Sequence, residues 1–182
     1  MTRILRATLG SLCLTVILST TAIAQKTYAL GVGGGAAIPV GNLGDVQKTG
    51  YNALAVLAIG VADLPVGVRF DVFYNNMLKA DVPAGSTSAD LRVAAALANL
   101  VVAFPGTNTK AYLLAGGGLY NSKPGVSGSR KTQNNLGFNF GLGTTFGSGP
   151  FSLFVESRYH SVSRSPGKGV YQFVPITLGL LF

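Results

Sequence analysis

Apolar and polar side chains alternate along much of this chain, most clearly toward its carboxy terminus. From Val174 every second residue is apolar (Val174, Ile176, Leu178, Leu180 and Phe182), with Pro175, Thr177, Gly179 and Leu181 between them. A period of two marks a β-strand with two unlike faces. The same period sets Phe151, Leu153, Val155 and Tyr159 against Ser152, Glu156, Arg158 and His160. It also sets Leu136, Phe138, Phe140, Leu142 and Phe146 against Gly137, Asn139, Gly141, Gly143 and Thr145. Upstream, Val66, Val68, Phe70, Val72 and Tyr74 oppose Gly67, Arg69, Asp71 and Asn75, and Leu91, Val93 and Leu97 oppose Asp90 and Arg92.

Strands are predicted at 27–38, 50–61, 66–77, 89–104, 110–120, 134–146, 151–161 and 169–182. The first and fifth are glycine-rich, and the second gives no clear face assignment. The intervening segments run alternately long and short, from VGNLGDVQKT and ADLP to GSGP and SRSPGK. Eight such strands predict an all-β fold, a closed antiparallel transmembrane barrel with short turns at one end and longer loops at the other. Pro175 lacks the N–H that a ladder needs, so a bulge or register break is expected beside it.

An alternating barrel can also be inverted, with an apolar interior and a wet outside. Two features favour the membrane orientation. The first, second, sixth and eighth strands carry no charge between their ends, an outside that water would not tolerate. The apolar face is bulky while the other is mainly Gly, Ala, Thr and Ser, which suits the narrow interior of eight strands. Arg69, Asp71, Arg92, Glu156 and Arg158 then all fall on the inward face and are expected to form a lumen charge network, because a charge facing lipid costs about 2–4 kcal/mol at the bilayer midplane. The glycines beside them would leave room for arginines and tyrosines of neighbouring strands. The seven tyrosines tend toward strand ends, as interfacial girdles do, although some can fill the lumen.

The amino terminus adds an address. Arg3 and Arg6 precede an apolar run that ends in Ala22-Ile23-Ala24 before Gln25, which reads as a secretory signal peptide at 1–24 and a barrel domain at 25–182. The single cysteine, Cys13, lies inside the signal, so neither a disulfide nor a lipid anchor is expected in the exported protein. The formal net charge of +8 falls to +6 when Arg3 and Arg6 are removed. Lys48, Lys79, Lys123, Arg130, Lys131, Arg164 and Lys168 make the longer loops a basic rim against Asp45 and Asp81, suited to phosphates of membrane lipid or lipopolysaccharide. Basic and aromatic residues do not interleave there as nucleic-acid binding would need.

A terminal strand ending on Phe182 resembles the end of OmpA-type small outer-membrane β-barrel proteins. In that family the last strand, here Val174, Ile176, Leu178, Leu180 and Phe182, serves as an assembly signature read by the barrel assembly machinery. The resemblance extends over about 26–182 and implies a monomeric, non-enzymatic component of the bacterial outer membrane with a plugged lumen and no cofactor. His160 near Ser161 and Ser163 resembles the serine–histidine site of outer-membrane lipid A deacylases and acyltransferases, which makes these three the candidates for catalysis. However, Val162 stands where that pattern has serine, and no Asp or Glu follows His160 to orient its ring. A narrow channel is the other alternative. Gly31-Val32-Gly33-Gly34-Gly35-Ala36 has the letters of a dinucleotide fingerprint without the helix that must follow it, and one histidine with no exported cysteine gives no metal cluster.

Overall fold

The computed structural model describes residues 27–60, 64–81, 89–124, 132–147, 151–164 and 169–182; the segment expected to be a signal peptide, 1–24, lies outside them. Eight antiparallel strands form one closed barrel in sequence order: β1 (Thr27–Val40), β2 (Gln47–Gly60), β3 (Val66–Lys79), β4 (Leu91–Ala103), β5 (Thr109–Pro124), β6 (Gln133–Phe146), β7 (Ser152–Ser163) and β8 (Val170–Leu181). Each matches a predicted strand to within about four residues, the usual error of boundaries read from sequence. The largest difference is at β5, which continues through Asn121, Ser122 and Lys123 into what reads as loop.

Closure joins the first strand to the last. β1 and β8 pair in unbroken register from Gly31 opposite Leu181 to Val40 opposite Gln172. Beyond the ladder, Leu30 and Phe182 exchange backbone hydrogen bonds of 2.8 and 2.7 Å, so Phe182 fastens the seam. A 3-10 turn at Gly41–Leu43 begins the β1–β2 connection, where Gly41 takes a φ of 57° that a side chain would strain.

The expected orientation holds for β3, β6, β7 and β8. Leu136, Phe138, Phe140 and Leu142 face outward and are more than half exposed, as are Val72 and Leu178. Inside lie Arg69, Asp71, Asn75, Asn139, Glu156, Arg158 and Thr177, each at most 5% exposed. An uncharged apolar band of this kind belongs in hydrocarbon.

β4 is turned the other way. Leu91, Val93, Ala95 and Leu97 point into the lumen and are buried, while Arg92 is exposed on the outside. Two packing facts explain this. The lumen at this level is an apolar core, where Leu91 and Val93 join Leu54, Met77, Phe73 and Phe173. Arg92 lies one residue in from the end of its strand, near the membrane interface, where a long cation reaches water at little cost.

One further expectation meets a correction. Pro175 causes no register shift: β8 keeps one register with β7 from Ser152 to Ser163, and only Arg158 and Tyr159 lack ladder partners. The bulge lies instead between β2 and β3, at Lys48 to Tyr51, where Gly50 packs directly on the Asn76 carbonyl. Among the tyrosines, Tyr28 and Tyr51 lie well exposed on the outside, whereas Tyr112 and Tyr120 are buried in the lumen.

Candidate functional site

The lumen is built in layers. At mid-height two strands on opposite sides of the ring supply complementary pairs at alternate positions: Arg69 and Asp71 from β3, Glu156 and Arg158 from β7. Alternation brings both members of each pair to the same face. Each arginine then engages both carboxylates. Arg69 grips Glu156 with both terminal nitrogens, at 2.6 and 2.9 Å, while its Nε lies 3.0 Å from Asp71 Oδ1. Arg158 reaches Asp71 Oδ2 at 2.7 Å and contacts Glu156 through Nε.

This closed ring of ion pairs is electrically neutral and spans the barrel from β3 to β7. Neutral partners hydrogen-bond to its carboxylates from outside. Tyr112 on β5 donates its hydroxyl to Glu156 Oε2 at 2.7 Å. Asn99 on β4 donates to Asp71 at 2.7 Å, and Asn139 on β6 donates to Asn99 at 2.8 Å. Charges out of water persist only when so paired and hydrogen-bonded. Glycine on β6 makes the room: a Cβ at Gly143 would clash with the hydroxyl end of Tyr112, and one at Gly141 would meet Arg158 Cγ at 2.8 Å.

Across the closing seam a smaller polar group does similar work. Asn52 on β2 lies opposite Gly35, which in turn faces Thr177 on β8. The absent side chain of Gly35 lets Asn52 accept from the Thr177 hydroxyl at 3.0 Å and donate to the carbonyls of Ala36 and Ile176. Sequence reading missed Asn52; its signal was a lone carboxamide among apolar residues, directly opposite a glycine run.

Toward the longer loops the filling turns aromatic. His160 stacks on Phe173 at 4.9 Å and 3°, with Phe73 also at 4.9 Å. Its Nδ1 is 2.9 Å from the Tyr120 hydroxyl, and the Tyr120 ring fills the space left by Gly137. A void of only about 10 Å³ remains among Asn52, Phe73, Asn75, Arg158 and His160. Toward the short turns the lumen opens into a cavity of about 240 Å³ that reaches Arg69 and Tyr112, with Lys110 also on its wall.

The candidates for catalysis do not converge. His160 is buried in the lumen, while Ser161 and Ser163 alternate onto the other face of β7. Among the described residues no three His, Asp or Glu side chains are placed to hold a metal ion. Of the expected charge network, Arg69, Asp71, Glu156 and Arg158 come together and Arg92 does not. On the rim, Lys48, Lys79 and Lys123 are exposed. Lys48 pairs with Asp81, whose carboxyl is held below the usual range by that hydrogen bond and charge. The Arg164 guanidinium lies 4.5 Å from the Tyr171 ring centroid. Arg130, Lys131 and Lys168 lie outside the described residues. In the terminal strand Ile176, Leu178, Leu180 and Phe182 are exposed on the outer face, with Val174 partly covered.

This fold has solved counterparts. Neisserial surface protein A matches with a TM-score of 0.67 at 17% identity, over 86% of this chain and 97% of that one. The attachment invasion locus protein Ail of Yersinia pestis matches at 0.58 and 14% identity, over 88% and 100%. The amino-terminal barrel of Pseudomonas aeruginosa OprF matches at 0.52 and 14% identity, over 87% and 100%. No family model matches the chain, and no curated protein does. The class is therefore defined by architecture: the chain has the fold of the small eight-stranded outer-membrane β-barrels.

Proposed function

We propose that this protein is a non-enzymatic integral component of the bacterial outer membrane, exported through its signal peptide and assembled by the barrel machinery, which reads the terminal strand. Its lumen is plugged, and its work lies on its surfaces, in stabilising the envelope and presenting the longer loops outside. The observation that carries this reading is the ring of four ion pairs from β3 to β7. It supports a sealed interior because an ion would have to pass between charges that already satisfy one another in a low-dielectric space. The geometry of His160 supports the non-enzymatic reading, since its ring packs against two phenylalanines and its Nδ1 is engaged by Tyr120.

Planar-bilayer recording of the purified protein tests the plug. The expected trace shows no unitary conductance above leak. Reproducible open-channel steps would replace this reading with that of a narrow channel.

A further inference from the structure

The outward turn of Arg92 leaves an unusual arrangement on the outer wall. Arg92 and Lys123 are direct cross-strand partners on β4 and β5, and both are exposed on the lipid-facing side near the longer loops. Like charges placed opposite one another destabilise a sheet unless an anion lies between them. Among the described residues neither forms an ion pair with a carboxylate: Asp71 and Glu156 are in the lumen, Asp81 serves Lys48, Asp90 accepts from the Lys79 amide, and Asp45 lies in the β1–β2 connection. The described outward positions toward the same end of β6 to β8, such as Leu136, Ser161 and Gln172, are uncharged.

Directly below this pair the wall is hollowed. Two adjoining hollows of about 370 and 650 Å³ meet on β4, floored there by Ala94, Ala96 and Ala98 and flanked by Val72 and Leu119, and the larger one extends across the wall to Ala55 and Leu57 of β2. From Arg92 to Ala98 the strand covers about 20 Å, which at the usual tilt descends roughly 15 Å, half of a 30 Å hydrocarbon core. Two cations at headgroup level above a groove one leaflet deep match a lipid whose head is phosphorylated and whose acyl chain lies flat on the wall.

We propose that the β3–β5 wall binds a phosphorylated glycolipid of the outer leaflet, its phosphate held between Arg92 and Lys123 and an acyl chain seated along Ala94 to Ala98. The proposal rests on the outer-membrane reading above and adds the ligand class and its site. Charge selects this occupant over others. A phosphate monoester on a sugar carries close to two negative charges at neutral pH and matches two cations, whereas the single charge of a phospholipid diester does not. A second copy of the chain docked through this face would bring the two basic pairs toward each other.

Native mass spectrometry of the micelle-released protein, mixed with bisphosphorylated lipid A, its dephosphorylated form or phosphatidylglycerol, tests the site. Wild type is expected to retain bisphosphorylated lipid A selectively. R92Q/K123Q is expected to lose about 30-fold in retention, from the attraction that two basic side chains exert on an anionic headgroup layer. A96L/A98L, which fills the groove from the lipid side, should also lose retention while keeping wild-type heat-modifiable migration. Undiminished retention by R92Q/K123Q overturns the proposal, as does equal retention of phosphatidylglycerol. A dimer that A96L/A98L dissociates, with lipid retention unchanged, assigns the wall to a second copy instead. Loss of heat-modifiable migration by the wild type itself would remove the outer-membrane reading, and the proposal with it.

Discussion

The two filled layers of the lumen are equally buried and held by opposite means. At mid-height Arg69, Asp71, Glu156 and Arg158 are each at most 5% exposed and bind through charge. One level up, Phe73, Tyr120, His160 and Phe173 are as deeply buried and bind chiefly through area and ring contact. The charged layer is all-or-none, because removal of any member leaves a deeply buried charge without its counter-ion. The aromatic layer loses stability in proportion to the atoms removed, as ordinary cores do. Specificity across the barrel therefore resides in the lower layer and bulk filling in the upper one.

Deleting one charge should break the comparison most sharply. Glu156→Ala leaves both arginines short of a carboxylate and Tyr112 without its acceptor, and is expected to cost about 3–5 kcal/mol, as for other broken buried pairs. Urea unfolding in lipid vesicles, followed by gel migration because the chain has no tryptophan, measures this. A loss under about 1 kcal/mol would mean that water enters the layer and the pairs are weak. Phe173→Ala tests the upper layer, where removing a fully buried ring should cost about 3 kcal/mol. Its loss should be insensitive to salt, and a salt-dependent loss would show that the layers are coupled.

The difference between the layers also governs what the sequence revealed. β7 reads correctly because charge and bulk segregate there: Leu153 and Val155 on one face, Glu156 and Arg158 two apart on the other. β4 misleads because large apolar residues occur on both faces, Leu91, Val93 and Leu97 inward, Leu100 and Val102 outward. The lumen-facing polar residue of β4 is Asn99, and Arg92 took its place in the reading because a charge is a louder signal than a carboxamide. The period of two fixes which residues share a face; it does not say which face is inside where medium-sized apolar side chains fit both. Neither could one chain position announce that Asn52 and Thr177 would meet across Gly35, since that contact exists only once the seam has closed.

Two smaller perturbations separate hydrogen bonding from packing and buried charge from exposed charge. Tyr120→Phe keeps the ring that occupies the space beside Gly137 and removes only the hydroxyl bonded to His160 Nδ1. The expected loss is about 1 kcal/mol, well below that of Phe173→Ala, because a single neutral hydrogen bond contributes little net stability. A loss as large as the ring deletion would show that the upper layer is also held by polar pairing.

The smallest effect belongs to the rim. Asp81 and Lys48 form an ion pair as the lumen carboxylates do, but their side chains are 87% and 53% exposed. A carboxyl held below its usual range stabilises the fold above its unfolded pKa and loses that contribution as pH falls through the lower folded value. The direction of the Asp81 shift thus predicts weakening only on acidification, and solvent screening of an exposed pair removes most of even that. Asp81→Asn should therefore leave the urea midpoint at neutral pH indistinguishable from wild type, in the same vesicles where Glu156→Ala shifts it strongly. A comparable shift for Asp81→Asn would mean that the loop end of the barrel is as dry as its centre, and the contrast between a buried ion-pair layer and a wet rim would fail.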